Sequence, residues 1–124
     1  MFFNLFKSNK IIVGSMRVKE IQENFLVTSQ ITIADVADAK AAGFHTIICN
    51  RPDNESAGQP SANQIGRAAK KAGLKFFYVP MSHGGTAPET VPNFRKAVAA
   101  ENGKILAYCR SGNRSSMLWR MAQK

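Results

Sequence analysis

Four short strand-forming runs, 25–29, 44–49, 74–79 and 105–108, alternate with stretches of helical length. That alternation constrains the fold more than any other feature of the chain. Thr32 offers a helix N-cap and Asp35, three residues on, closes a capping box. Ile33, Val36, Ala37 and Ala41 then form one apolar stripe, and Gly43 ends the helix. Ser61 and Gln64 repeat the device for a second helix running to Gly73. A third helix spans about 90–102, with Pro92 tolerated in its first turn. A fourth starts at Ser115, with Met117, Leu118 and Met121 on its apolar side. Strands alternating with helices predict an α/β fold: one domain, with a largely parallel sheet of four to five strands flanked by helices. Residues 1–17 are read as an N-terminal extension and 18–124 as the domain.

In such sheets ligands bind beyond the carboxyl ends of the strands. Three segments fall at that edge: the turn Asn50-Arg51-Pro52-Asp53-Asn54, the loop around His83, and Cys109 with the residues after it. The run Cys109-Arg110-Ser111-Gly112-Asn113-Arg114-Ser115 carries the chemistry. Between a strand end and a helix start, its successive backbone N–H groups can turn inward to form an anion-binding nest. Gly112 supplies the backbone freedom that the wrap requires. Arg114 supplies a planar fork for oxyanions. A cysteine in such a field is a nucleophile in its thiolate form.

The other candidates each carry two readings. Arg110 is either a loop cation or a solvated side chain, and Ser115 is either an N-cap or a hydrogen-bond donor to the Cys109 sulfur. Cys49 is either core or a resolving thiol that forms a reversible disulfide with Cys109. Asp53 and His83 are either structural and solvent-facing, or sources of a proton for a leaving group. Arg51 is an accessory candidate at the same edge.

Composition narrows the classes. Seventeen Lys+Arg against eight Asp+Glu give +9, which steers anionic ligands toward the chain. The basic residues are scattered and no aromatic stacking platform interleaves with them, so nucleic acid is not expected as the partner. Two cysteines make no disulfide framework, and two histidines without suitably spaced partners make no metal site. No cofactor is expected. No apolar run is long enough to span a membrane, and the apolar start Met1–Lys7 is too short for a signal-peptide core, so a cytoplasmic location is expected.

The loop resembles the active loop of rhodaneses, the thiosulfate sulfurtransferases. The rest of the chain resembles the phosphatase-like domain of beta-lactamase-hydrolase-like proteins, a family related in fold to dual-specificity phosphatases. That second resemblance rests on residues 25–30, on Gly43-Phe44-His45-Thr46-Ile47-Ile48-Cys49-Asn50-Arg51-Pro52-Asp53-Asn54-Glu55, and on Gln59-Pro60, Ala72-Gly73-Leu74 and Val79-Pro80. It covers about residues 18–122 and implies a cysteine-phosphatase-like fold and a setting of sulfide metabolism. It also implies a shortened form, because family members often continue beyond the loop helix.

One residue of spacing separates the two chemistries. Cysteine phosphatases place five residues between cysteine and arginine; here four lie between Cys109 and Arg114, the rhodanese spacing, and Ser115 stands where the phosphatase arginine would be. A shorter nest moves the guanidinium relative to sulfur, and about 1 Å of misplacement can cost about 10²-fold in rate. No aspartate follows Asp53 to act as a leaving-group acid, and sulfur transfer needs none. The expected function is therefore sulfur transfer through a Cys109 persulfide. The donor would be a small anion such as thiosulfate or a persulfide, and the acceptor a thiol such as glutathione. The first alternative is hydrolysis of a phosphate ester through a Cys109 phosphocysteine. The second is a non-enzymatic anion-binding or redox-sensing module.

Overall fold

A computed structural model describes residues 10–100 and 103–124. The chain runs β1 (Lys10–Val13), β2 (Met16–Gln22), β3 (Phe25–Thr28), α1 (Ile33–Ala41), β4 (Phe44–Cys49), α2 (Ala62–Lys71), β5 (Lys75–Tyr78), α3 (Thr90–Ala99), β6 (Lys104–Tyr108) and α4 (Asn113–Ala122). The strands form one six-stranded sheet in the order β1-β2-β3-β6-β4-β5. The pairs β3/β6, β6/β4 and β4/β5 are parallel, while β1/β2 and β2/β3 are antiparallel.

The sheet therefore has six strands where the sequence predicted four or five. The two added strands come from residues 10–22, so residues 10–13, 16 and 17, which the sequence places in an N-terminal extension, lie in strands of the sheet. Alternation in β2 explains the difference. Met16 and Val18 are buried, whereas Arg17 and Lys19 are exposed, which is the period-2 pattern of a strand with one covered face. The apolar Met1–Lys7 segment lies outside the described residues.

Both capping boxes form. The Asp35 backbone N–H donates to Thr32 Oγ1, and the Thr32 N–H donates back to the Asp35 carboxylate; Ser61 and Gln64 do the same for α2. α4 begins at Asn113, two residues before the predicted start, because left-handed Gly112 (φ 97°) acts as its N-cap. α3 ends at Ala99, and residue 102, the predicted end, lies outside the described residues.

Two apolar layers cover the sheet. On one face Leu26, Phe44, Ile47, Leu106 and Tyr108 pack with Val36 and Ala39 of α1 and Ile65 and Ala69 of α2. Gly66 lets α2 approach β5 closely, since a Cβ there would stand 2.8 Å from the Phe76 ring. On the other face Phe25, Val27, Ile48, Ile105 and Ala107 pack with Phe94 and Ala97 of α3 and Leu118 of α4. Phe25 stacks on Trp119 with centroids 4.4 Å apart and meets Phe94 edge-on at 5.8 Å. Those ring contacts fix both helices of that layer to β3. β6 sits between β3 and β4, with its last four residues buried, so its carboxyl end is flanked by a hydrogen-bonded strand on each side.

Thr32→Ala removes the side-chain half of one capping box. It should lower the unfolding free energy by about 1 kcal/mol in chemical denaturation, with the denaturant slope unchanged.

Candidate active site

Cys109 follows directly on β6 and is fully buried. The chain then turns through Arg110, Ser111 and Gly112 into α4. The Gly112 backbone N–H donates to Cys109 Sγ at 3.0 Å, the inward-pointing hydrogen bond that a nest requires. The left-handed Gly112 makes that turn possible. A Cβ there would meet the Thr28 carbonyl oxygen at 3.5 Å, which is ordinary contact, so the need for glycine is one of backbone conformation. The loop is held on both flanks: Arg110 C=O accepts from Gln30 N–H at 3.3 Å, and Gly112 C=O accepts from Ser116 N–H at 3.1 Å.

Arg114 lies in the first turn of α4 and is almost fully buried. Its Nη1 and Nη2 donate to the two oxygens of Glu55 at 2.7 and 2.8 Å, and Nη1 also donates to the Met81 carbonyl at 2.8 Å. A guanidinium has five N–H donors, so these three bonds leave a fork on the Nε side for an anion. Arg114 is held above the ordinary arginine value, first by its bonds to Glu55 and also by Cys109 beside it.

Glu55 is the residue that the sequence analysis did not single out. It accepts from Arg51 Nε at 2.9 Å as well as from Arg114. Its pKa falls from the ordinary 4.5 to about 2, chiefly because Arg114 bonds to the charged form, with Arg51 adding to the effect. Asn54, left-handed at φ 66°, turns the chain immediately before it, a conformation that asparagine tolerates. The available signal was the four-residue spacing of Arg51 and Glu55 after a strand end. Nothing local identified Arg114 as the third partner, 59 residues away.

The remaining candidates divide. Arg51 is buried and donates from all three of its nitrogens, also to Gln30 Oε1 at 3.1 Å and Ser56 Oγ at 3.1 Å. Ser115 turns its hydroxyl to Asn50 Oδ1 at 2.8 Å, so its proton is committed away from Cys109. Asn50 in turn donates to the Val79 carbonyl at 2.8 Å, tying α4 to β4 and to the end of β5. Asp53 accepts the Ala62 N–H at 2.8 Å, where it caps the start of α2. Its cleft is shared with Arg67, Lys70 and Tyr78, on the α2 side of the sheet.

His83 stands over the loop. With Met81, Arg110, Ser111, Asn113 and Arg114 it lines a cleft of about 260 Å³. Its side chain is 73% exposed, and Nε2 lies 3.8 Å from Glu55 Oε2. Arg110 and Asn113 are exposed at the rim.

Cys49 pairs with Tyr108 across β4 and β6, one residue before Cys109. Its thiol donates to the Arg51 carbonyl at 3.3 Å, and burial pushes its pKa up to about 11, against a smaller opposing effect from neighbouring hydrogen bonds. Cys49 is thus a protonated, weakly nucleophilic thiol near neutral pH. Both cysteines are free.

The sign of the Glu55 shift gives a pH prediction. A carboxylate with a depressed folded-state pKa contributes stability above its unfolded value, and that contribution is lost as pH falls through the folded value. Wild type should therefore exceed Glu55→Gln in stability near neutral pH. The gap should narrow between about pH 4.5 and pH 2, as read by denaturant midpoints across that range.

Comparisons with known proteins agree with this architecture. The profile of the beta-lactamase hydrolase-like protein family, phosphatase-like domain, matches residues 17–124. Beta-lactamase hydrolase-like proteins of Xylella fastidiosa (strain 9a5c) and Agrobacterium fabrum (strain C58) are 30% and 33% identical to the chain over 108 and 104 residues. Those matches cover 87% and 84% of this chain but 25% and 24% of the relatives, so the chain spans about a quarter of their length. A provisionally assigned phosphatase of Neisseria meningitidis Z2491 superposes with a TM-score of 0.75 at 34% identity, over 84% of this chain and 74% of that one. A structure from Shewanella putrefaciens CN-32 superposes at 0.74 with 21% identity, over 99% of this chain and 73% of that one, which speaks to the fold alone. The chain belongs to the phosphatase-like domain family of beta-lactamase hydrolase-like proteins.

Proposed function

We propose that the chain is a cysteine-dependent sulfurtransferase within this phosphatase-like family. The observation that carries the reading is the short loop. Gly112 N–H already meets Cys109 Sγ, and the arginine of the anion site lies in the first turn of α4, one position earlier than a phosphatase loop would place it. Asp53 supports the same reading, because its carboxylate accepts the Ala62 N–H at the start of α2. A reaction with a good leaving group needs no such acid.

In the first step Cys109 thiolate attacks the sulfane sulfur of thiosulfate. A new S–S bond forms to Cys109, the old S–S bond breaks, and its electron pair departs with sulfite. The terminal sulfur of the persulfide anion takes the place of a bound anion among the loop N–H groups and the free edge of Arg114. In the second step an acceptor nucleophile, cyanide or a thiolate such as that of glutathione, attacks the outer sulfur and returns Cys109 as thiolate. Glu55 acts through Arg114 as a positioning residue.

The second reading is phosphate-ester hydrolysis through a phosphocysteine. The family and its provisionally assigned phosphatase relative favour it, as does the placement of His83 in the cleft over the loop. Cys109 thiolate would then form an S–P bond as the P–O bond breaks and the alcohol leaves with a proton from His83, and water would break the S–P bond, releasing phosphate and returning the thiolate.

Thiocyanate formation from thiosulfate and cyanide tests the choice. Wild type should turn over and Cys109→Ser should not, while His83→Gln and Asp53→Asn should retain transfer within a few-fold. Glu55→Gln should lose about 10²-fold, because the guanidinium is no longer held in place. Absence of thiocyanate, together with Cys109- and His83-dependent hydrolysis of an aryl phosphate, would replace sulfur transfer by the phosphatase reading.

A further inference from the structure

A second cleft, of about 410 Å³, lies on the other flank of the Cys109 loop. One wall is Ser111, Asn113 and Ser116; Val27 of β3 contributes to its floor; the far wall is Lys10 of β1 with Arg17 and Lys19 of β2. It exists because α3 and α4 cover β3 and β6 but the sheet continues outward through β2 and β1. In the row through Val27 the next residues across the sheet are Lys19, then Lys10, while the apolar layer reaches β2 only farther along, at Ile21.

The charges here carry an energetic cost. Lys10 and Lys19 are direct cross-strand partners, an arrangement of like charges that destabilises a strand pair. Arg17 lies two residues from Lys19, about 7 Å along the same face. All three side chains are exposed, and among the described residues none makes an ion pair. No carboxylate lines the cleft. A lysine on an outer strand discourages edge pairing, and that accounts for Lys10 alone. It does not account for Arg17 and Lys19, which lie on the inner strand β2 and face the same hollow.

We propose that this cleft is a second anion site, separate from the Cys109 nest, which takes a small molecule carrying two or more phosphate or carboxylate groups. Three converging cations against a wall of hydroxyl and amide side chains match such a ligand in charge and in hydrogen bonding. The dimensions favour a small molecule over a nucleic-acid track, because the cations converge on one hollow. Bound anion would relieve the Lys10–Lys19 repulsion. It would also contact Ser111 and Asn113, which flank the Gly112 N–H that holds the Cys109 sulfur. The site stands whether Cys109 transfers sulfur or phosphoryl groups.

The test is amide NMR on the full chain, titrated with pyrophosphate and, separately, citrate. Saturable shifts are expected at Val18, Lys19, Val27 and Ser29, with affinity falling tenfold or more in a variant combining Lys10→Gln, Arg17→Gln and Lys19→Gln. That variant should unfold no earlier than wild type without ligand, since it removes a like-charge pair, so lost binding would not reflect lost folding. Tighter pyrophosphate assigns a phosphate ligand and tighter citrate a carboxylate ligand; either supports the site. Shifts confined to 110–115, shifts spread equally over Lys70, Lys71 and Arg95, or no saturable binding of either anion would overturn it.

Discussion

The Glu55 carboxylate, set between two buried guanidinium groups, is the interaction on which the candidate site depends. It joins the turn after β4 to the first turn of α4 and, through Arg114, to the Met81 carbonyl beyond β5. A flexible arginine thereby becomes a fixed fork. Two guanidinium groups close together would repel if Glu55 were neutral, so its low pKa and the shape of the site have the same cause. The arrangement also accounts for the burial of Arg51, which contacts nothing in the cleft over the loop and instead anchors Glu55, Gln30 and Ser56.

The sheet explains why these groups meet. Three parallel pairings bring the carboxyl ends of β3, β6, β4 and β5 to one edge, with Cys109 directly after β6. Asn50 spans that edge, receiving the Ser115 hydroxyl and donating to the Val79 carbonyl. Cys109 thus follows a strand that is hydrogen-bonded on both sides. The loop above it is pinned by backbone bonds to Gln30 and by the start of α4. Such support suits chemistry that depends on placing one sulfur atom among fixed donors.

Much of this was legible from residues. The capping boxes at Thr32 and Ser61, strand β4 and the position of Cys109 at a strand end follow from local pattern, and local pattern decides them. β1 and β2 are hard to read because β1 has only four residues and the exposed positions of β2 include the charged Arg17 and Lys19, and such short segments read as extension until a neighbouring strand gives one face something to cover. Asp53 shows the opposite difficulty. Its place at the site edge was foreseeable, but whether its carboxylate faced the nest or the start of α2 depended on how the turn closes. The clasp of Arg114 by Glu55 spans 59 residues, and no local pattern reports it. The spacing of cysteine and arginine was plain from the start, and its consequence for chemistry is where family likeness and loop geometry point in different directions.

Intact-mass analysis of the reduced protein after exposure to thiosulfate tests the central claim most directly. The account predicts a gain of one sulfur atom on Cys109, removed by cyanide and absent in Cys109→Ser. An unchanged mass after thiosulfate, with a phosphoryl adduct on Cys109 trapped from an aryl phosphate instead, would contradict it.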